Sequence, residues 1–553
     1  MFCSKTNTLQ LTSLLLRAGI THAVVSPGSR NAPLVHNFRE AGMQLYEITD
    51  ERSAAFFALG LMESNGGHPV AVCVTSGSAV LNVAPAVSEA YYRTLPLLVI
   101  TADRPQRWIG QMDGQTMNQD NAFANYIRKS VTLPEPDAYS DSATTRDSGM
   151  TLRDEERWHC NRLINEALIA LRQYGGPVHI NVPITEPMFD FSVPQLPDER
   201  LIGYASPLTS PASFTLDASM CDVWRQSSSR MLIVGQMLPE QATALTVPLV
   251  RLAMSGITIL AEPLSNLHLI PELHDYVVTD FDQLITASAS PELLITFGGH
   301  IVSKRLKQYL RQHQPLNHWH ISPIGEVADL YMNMTSLLHA TPQSVLSALM
   351  LDMEDTSTSV PTFPLPIGEA YAEAPYHLDA ILSSLPMGYN IHVANSSMVR
   401  HLQQAMIHHQ LTYNPVFCNR GINGIEGSSS TAVGYWAGSG EPTLLLTGDL
   451  SFFYDQNALW NNFVKSPRSP LRIVIINNGR GDIFSHVPGL SASPHLDRYI
   501  AAAHTTSAEG MAAACGADYA RVSTPSQLAS ILPGFFDMNP SVRILEIFVG
   551  YRL

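Results

Sequence analysis

Short apolar runs, each closed by a glycine or polar turn, recur along the whole chain. In the first 185 residues they are THAVVSPGSR (Thr21 to Arg30), PVAVCVTSGSA (Pro69 to Ala79), PLLVITADRP (Pro96 to Pro105) and GPVHINVP (Gly176 to Pro183). The runs are too short for buried helices and show no polar alternation. That is the signature of strands covered on both faces, as in parallel sheets. Similar runs follow at Arg230 to Met237, Ile257 to Pro263 and Leu293 to Gly299, then at Leu444 to Leu450 and Ile473 to Phe484. The segments between them, such as Ser53 to Met62 and Asn457 to Val464, read as helices. Two polar, proline-rich stretches, Val193 to Ala212 and Met353 to Pro375, divide the pattern. The expectation is an α/β protein of three consecutive parallel-sheet domains, over residues 1–190, 205–352 and 376–553. Any kinship between the first and third domains is not visible in the residues.

The third domain holds the most specific chemistry. Its strands end in Gly448-Asp449 and Asn477-Asn478-Gly479, about thirty residues apart. Parallel strands joined by a crossover place both ends on one sheet edge, where α/β folds bind ligands. A carboxylate and an amide oxygen beside tight-turn glycines suit a hard divalent cation holding a diphosphate. The spacing resembles the thiamine diphosphate signature, with Leu450 where Gly or Ala is usual. Such chemistry needs a carboxylic acid against the cofactor's aminopyrimidine ring. Glu51, at the junction of LYEITDE with a small-residue helix, is the candidate, in a dry cleft that would favour its protonated form.

Composition narrows the class. A chain of 553 residues with 45% apolar content can fill several cores, and it has no run long enough for a membrane helix or a signal-peptide layout. The six cysteines lack metal-ligand spacing and read as reduced thiols of a cytoplasmic protein. A net charge of −15 argues against nucleic acid and anionic membranes as partners, so any anion site must be a local island of arginine.

Seven segments in order carry a wider resemblance: SPGSRNAPL (Ser26 to Leu34), DERSAAFFALG (Asp50 to Gly60), TSGSAVLN (Thr75 to Asn82), TADRP (Thr101 to Pro105), NSSMVR (Asn395 to Arg400), CNRGINGIEG (Cys418 to Gly427) and GDLSFFYDQNAL (Gly448 to Leu459). Together they resemble the 2-succinyl-5-enolpyruvyl-6-hydroxy-3-cyclohexene-1-carboxylate (SEPHCHC) synthases of menaquinone biosynthesis. The resemblance implies decarboxylation of 2-oxoglutarate and addition of the succinyl unit to isochorismate. It implies thiamine diphosphate with Mg²⁺ or Mn²⁺, and a homodimer or homotetramer. The active site would lie between the pyrimidine-binding first domain of one subunit and the diphosphate-binding third domain of another.

Carried over by motif, Glu51 is the catalytic acid, and Asp449, Asn478 and the carbonyl of Arg480 are the metal ligands. Gly448, Leu450 and Ser451 face the diphosphate, Ile425 props the cofactor, and Ile483 and Phe484 form an apolar wall. Ser29, Arg30, Arg104, Gln115, Lys304, Ser396, Arg400 and Arg420 meet the substrates. Arginine suits dicarboxylates because its planar fork binds them bidentately and keeps its charge. Lys304 has Arg305 and Lys307 as neighbours able to substitute. Two departures from the family pattern are Gly114, where Asn is expected, and Arg480, where Gly is common. The rival readings are another thiamine diphosphate 2-oxoacid enzyme, such as an acetohydroxyacid synthase, and a non-catalytic scaffold. The arginines speak against the first, and the retained Glu51, Asp449 and Asn478 against the second.

Overall fold

A computed structural model describes residues 1–139, 150–206, 214–279, 290–356, 375–407, 409 and 411–550. Residues 207–212 of the first expected linker and 357–374 of the second lie outside these residues. Three six-stranded sheets follow one another along the chain, and every strand pairing in them is parallel. The first contains β1 (His22–Val25), β2 (Gln44–Glu47), β3 (Val70–Val74), β4 (Leu97–Asp103), β5 (Lys129–Thr132) and β6 (Val178–Pro183). The second contains β7 (Arg230–Val234), β8 (Thr258–Ala261), β9 (Val277–Val278), β10 (Leu293–Phe297), β11 (Asn317–Ile321) and β12 (Ser336–Leu338). The third contains β13 (Asn390–Val393), β14 (Val416–Phe417), β15 (Thr443–Gly448), β16 (Leu471–Asn477), β17 (Asp518–Val522) and β18 (Val542–Phe548).

The strand orders reveal what the residues hid. The first sheet runs β2-β1-β3-β4-β6-β5 and the third runs β14-β13-β15-β16-β18-β17, the same order counted from each sheet's first strand. The middle sheet runs β9-β8-β7-β10-β11-β12, the doubly wound order of dinucleotide-binding folds. Strands β3, β4, β6, β7, β10 and β16 are buried along their whole length, as their largely apolar runs favour. The expected helix over Asn457 to Val464 is broken. A 3₁₀ turn, Gln456–Leu459, precedes a single helical turn, Asn462–Lys465, whose N-cap Asn461 accepts the Val464 N–H at 3.1 Å. Asparagine side chains favour such caps over helix interiors.

First and third domains share one apolar core, running from Val24, Phe56 and Val99 through Val433, Leu445 and Ile544. The helix Glu51–Ser64 meets the helix Ser428–Ser439 backbone to backbone. A Cβ on Gly60 would lie 2.0 Å from the Thr431 carbonyl oxygen, and one on Gly434 would lie 2.1 Å from that of Phe57. Gly60→Ala is therefore expected to push the helices apart and lower stability by at least the ~1–3 kcal/mol typical of overpacked cores. Denaturant unfolding that matches wild type would refute the close approach.

His179, on β6, sits fully buried between Thr101 (2.7 Å) and Ser130 (3.0 Å). Burial lowers its pKa from 6.5 to about 3. In the window between those values the unfolded chain holds a proton that the native chain does not, so stability falls as pH drops through it. Across two pH units, 6.5 to 4.5, this amounts to about 2 kcal/mol. His179→Gln should lose less stability than wild type on that acidification by about this amount, read from urea midpoints at each pH. Equal losses would mean that the ring is not held neutral.

Candidate active site

The metal-side residues assemble at the ends of adjacent strands, since β15 pairs with β16. Gly448 ends β15, and Asp449 opens a short helix, Asp449–Tyr454. The Asp449 carboxylate accepts three backbone N–H bonds, from Leu450 (2.7 Å), Asn478 (3.1 Å) and Gly479 (2.7 Å). Gly479 adopts φ +73°, which its lack of a Cβ permits. The Asn478 side-chain oxygen accepts the Arg480 N–H at 3.1 Å. The Arg480 guanidinium turns to Asp497 and Asp482, leaving only its backbone at the cleft. Ser451 donates to the carbonyl of Ile425 at 2.6 Å, bringing the CNRGINGIEG loop to the same edge. Ile425 and Phe484 are each 37% exposed there.

These residues fit a cation-bound diphosphate. Burial pushes the Asp449 carboxyl above its ordinary pKa, so its ionised form needs a positive partner. Among the described residues no lysine or arginine pairs with it, and no three His, Cys, Asp or Glu side chains converge. One carboxylate with amide and carbonyl oxygens is a donor set for a hard octahedral ion. A Cβ on Gly448 would meet nothing within 4 Å, so the strand end opens onto space.

His504, which the sequence reading missed, stands 3.4 Å from Asp449. Its ring Nδ1 accepts the Thr506 N–H, its backbone N–H donates to the Gly479 carbonyl, and the Phe453 ring meets it edge-on. It supports both the carboxylate and the Asn-Gly turn. No motif spacing signals it, because it comes from a loop beyond β16.

The substrate candidates fall into two groups. Arg30 is buried, donating to the Ile184 carbonyl and to Glu186 (3.1 Å). Arg104 reaches Asp113 (3.2 Å) and the same Glu186 oxygen (3.4 Å). Ser29 and Gln115 are exposed, and Gln115 lies at φ +53° against the glycine turn at Gly77. On the third sheet, Arg420 is buried and donates to the Asn395 side-chain oxygen at 3.0 Å, while its Nε has no partner. Ser396 adopts φ +71° and accepts from Arg400 through its carbonyl. A non-glycine residue held there stores strain of ~1–3 kcal/mol, which clusters at functional sites. Lys304 is exposed at the start of its helix. Lys307 is half-buried, donates to the Ile301 carbonyl and feels Arg420 and Arg400, as His300 feels Arg420.

Glu51 is not brought to the metal edge within the chain. It accepts from Asn82 at 3.1 Å, half-buried in an open cavity of about 320 Å³ lined by Thr49, Asp50, Glu51, Arg52, Asn82 and Trp460. The cavity around it is open, not the dry cleft expected.

Comparison with known proteins gives the family. The family "Thiamine pyrophosphate enzyme, N-terminal TPP binding domain" matches residues 7–124, and "Middle domain of thiamine pyrophosphate" matches 206–359. SEPHCHC synthase of Bacteroides thetaiotaomicron is 43% identical over 97% of this chain and 94% of that protein. Those of Bacteroides fragilis (41%; 100% and 97%) and Flavobacterium johnsoniae (34%; 96% and 93%) are similar along their length. The chain belongs to the SEPHCHC synthase family. It is a thiamine-diphosphate-dependent, carbon–carbon bond-forming enzyme.

For a SEPHCHC synthase with this geometry, Asp449→Ala is expected to abolish Mg²⁺-dependent retention of thiamine diphosphate. The diphosphate would then face an acidic protein without its cation. Titration calorimetry with and without Mg²⁺ is the check, and unchanged affinity would remove Asp449 from the cation site.

Proposed function

We propose that this protein decarboxylates 2-oxoglutarate and adds the resulting succinyl unit to isochorismate, releasing CO₂ and forming SEPHCHC for menaquinone synthesis. The observation that carries the reading is Arg420, buried with an unpartnered Nε, beside Ser396 and Arg400 at a sheet edge whose next strand ends in Gly448-Asp449. A small monocarboxylate oxoacid has no distal charge to offer such a group, whereas a second carboxylate supplies one. Arg30 and Arg104 are a second cationic pair, suited to the dicarboxylate acceptor.

When bound, thiamine diphosphate supplies the electron sink for loss of CO₂, with Mg²⁺ joining its diphosphate to the protein. Asp449, Asn478 and the Arg480 carbonyl would hold the cation, and Gly448, Leu450 and Ser451 the phosphates. Ile425, Ile483 and Phe484 would wall the ring system and exclude water. Glu51 would exchange a proton with the pyrimidine ring nitrogen. Arg400 and Arg420 would orient the donor, with Lys304 or Lys307 entering from the middle domain. Arg30, Arg104, Ser29 and Gln115 would orient the acceptor.

A second copy completes the site in this reading. Glu51's cavity lacks the Asp449 edge, and exposed apolar side chains border both halves: Leu81, Tyr454 and Trp460 near Glu51, Ile425 and Phe484 near Asp449. A homodimer, or a tetramer of such dimers, would lay the first domain of one copy over the third of another. Six free cysteines, five of them buried, and the absence of a membrane-crossing helix among the described residues support work in the cytoplasm.

Incubation with 2-oxoglutarate and isochorismate should release CO₂ and yield SEPHCHC, while turnover of pyruvate in their place would overturn the substrate assignment. Glu51→Gln should lower kcat by about 10²–10⁴, the usual worth of a general acid–base group, with thiamine diphosphate affinity within threefold of wild type. Exchange of the thiazolium C2 proton at the wild-type rate would transfer this role to another residue.

A further inference from the structure

Three charged side chains lie inside the fold and take no part in the chemistry above. Glu63 and Glu89 are each 1% exposed, and the Arg93 side chain is 7% exposed. Arg93 donates to Glu63 at 2.6 Å and to the Asn419 side-chain oxygen at 3.2 Å, with its Nε 3.9 Å from Glu89. His392 lies 3.9 Å from Glu63, kept neutral because burial lowers its pKa to about 3. Desolvation raises both carboxyls above the ordinary range. Such a group is expensive to bury, and replacing ions of this kind by apolar side chains is often neutral or stabilising. Stability alone is therefore a weak reason for it.

Its geometry gives a stronger one. Glu89 belongs to the helix Ala84–Arg93 that packs on the first sheet. Its two oxygens separately accept the N–H groups of Gly421 (2.8 Å) and Ile422 (2.9 Å), the two residues that follow Arg420 on the third sheet's loop. The helix presses on that loop so closely that a Cβ on Gly421 would lie 2.6 Å from the Glu89 carbonyl oxygen. Arg93 holds Asn419, the residue before Arg420, whose Nδ2 in turn donates to Thr431. The loop is fixed from other directions as well: Gln236 of the middle domain donates to the Cys418 carbonyl, and Asn395 donates to the carbonyls of Asn419 and Gly424. Two successive N–H groups bound by one carboxylate define the direction of the peptide at residues 420–422.

We infer that Glu89 is a positioning residue of the donor site: its carboxylate, seated by Arg93, sets the 420–422 turn and so the direction in which Arg420 presents its guanidinium. The first domain thereby controls an arginine carried by the third domain of the same chain. The energetic gain is preorganisation, since a guanidinium held in place by its own backbone loses less freedom when a carboxylate arrives. The inference rests on the reading of Arg420 as a contact of the 2-oxoglutarate carboxylate.

Glu89→Gln is the test, because an amide retains one acceptor and turns an N–H₂ group toward a backbone donor. In the holoenzyme, amide exchange of a peptide spanning 418–427 should accelerate at least tenfold. The KM for 2-oxoglutarate should rise at least tenfold, with the KM for isochorismate and the thiamine diphosphate affinity within twofold. Added to Arg420→Ala, the same change should raise the 2-oxoglutarate KM less than twofold further, since residues that act as one unit are not additive. Glu89→Asp, which keeps both acceptors on a shorter arm, should fall between wild type and Gln, and it carries the same comparisons if the Gln variant does not fold. Unchanged exchange, or fully additive effects on KM, would overturn the inference. Faster exchange in Glu89→Gln alongside a normal 2-oxoglutarate KM in Arg420→Ala would instead locate the failure in the substrate role of Arg420.

Discussion

Contact between the backbones of the helices Glu51–Ser64 and Ser428–Ser439 is the constraint on which the rest of the structure depends. Helices approach this closely only where side chains are absent, and Gly60 and Gly434 each face a carbonyl oxygen of the other helix. A third glycine, Gly427, begins the approach: a Cβ there would fall 2.2 Å from the Phe56 ring. Thr431 donates to the Phe56 carbonyl across the contact, a bond that longer side chains would hold apart. The shared core follows from this approach, and so does the placing of chemistry, because both helices start at active edges. Glu51 is the first residue of one, and the other begins three residues after Ile425. The joint seats the first domain against the CNRGINGIEG loop, which makes the Glu89 contacts possible.

The middle domain meets this arrangement in an unexpected way. Its strand order places a crevice between β7 and β10, the point where doubly wound folds bind dinucleotides. Here the crevice is filled by the chain itself. Gly235 and Gly299 pack so tightly that a Cβ on the first would lie 2.1 Å from the carbonyl oxygen of the second. Glu262, at the end of β8, spends both oxygens on the N–H groups of Val302 and Ser303. The side chains leaving this edge grip the third domain instead. Gln236 reaches Cys418, and Asn266 exchanges hydrogen bonds with Val416 on β14. A frame suited to a nucleotide thus serves as a backing for the segment that leads to Arg420.

Much of this was legible in the residues, for physical reasons that also explain what was not. Strands buried on both faces are largely apolar, so VAVCV, LLVITAD, RMLIV, LLITF and IVIIN announced themselves, although several also bury a polar residue such as Asp103, Arg230 or Asn477. Edge strands have no such need. Lys129–Thr132 and Asp518–Val522 carry charged and polar residues and pass unnoticed, although they complete two of the sheets. The common order of the first and third sheets was hidden because topology is set by connections, not by composition. At the site, Asp449 and Asn478 were readable because tight turns at strand ends demand glycine beside them. His504, Asn395 and Glu89 were not, because a side chain that acts through another residue's backbone leaves no spacing to recognise. Glu51 stands first in its helix, at the junction the residues indicated, but the open cavity around it was not legible there.

The cations at the third sheet's edge show how the fold sustains an unfavourable arrangement. Arg420 lies near enough to perturb His300 and Lys307, and Arg400 near enough to perturb Lys307, in a protein whose net charge is −15. Burial, seconded by Arg420 and its neighbours, lowers the His300 pKa to about 4, so the ring adds no charge at neutral pH. Lys307 is lowered by the same causes, opposed by Glu262, and its ammonium leans on the Ile301 carbonyl. Neither arginine can respond in this way, since guanidinium does not give up its proton in proteins. Among the described residues no carboxylate pairs with the Arg420 guanidinium, and the fold holds it by geometry, through Asn395 and the clamped loop. A carboxylate placed there would neutralise the repulsion and would equally occupy the position of an incoming anion. Directing two acids of this region to backbone N–H groups, Glu89 to residues 421–422 and Glu262 to 302–303, lets the protein fix the loop that carries Arg420 without placing either carboxylate on its guanidinium.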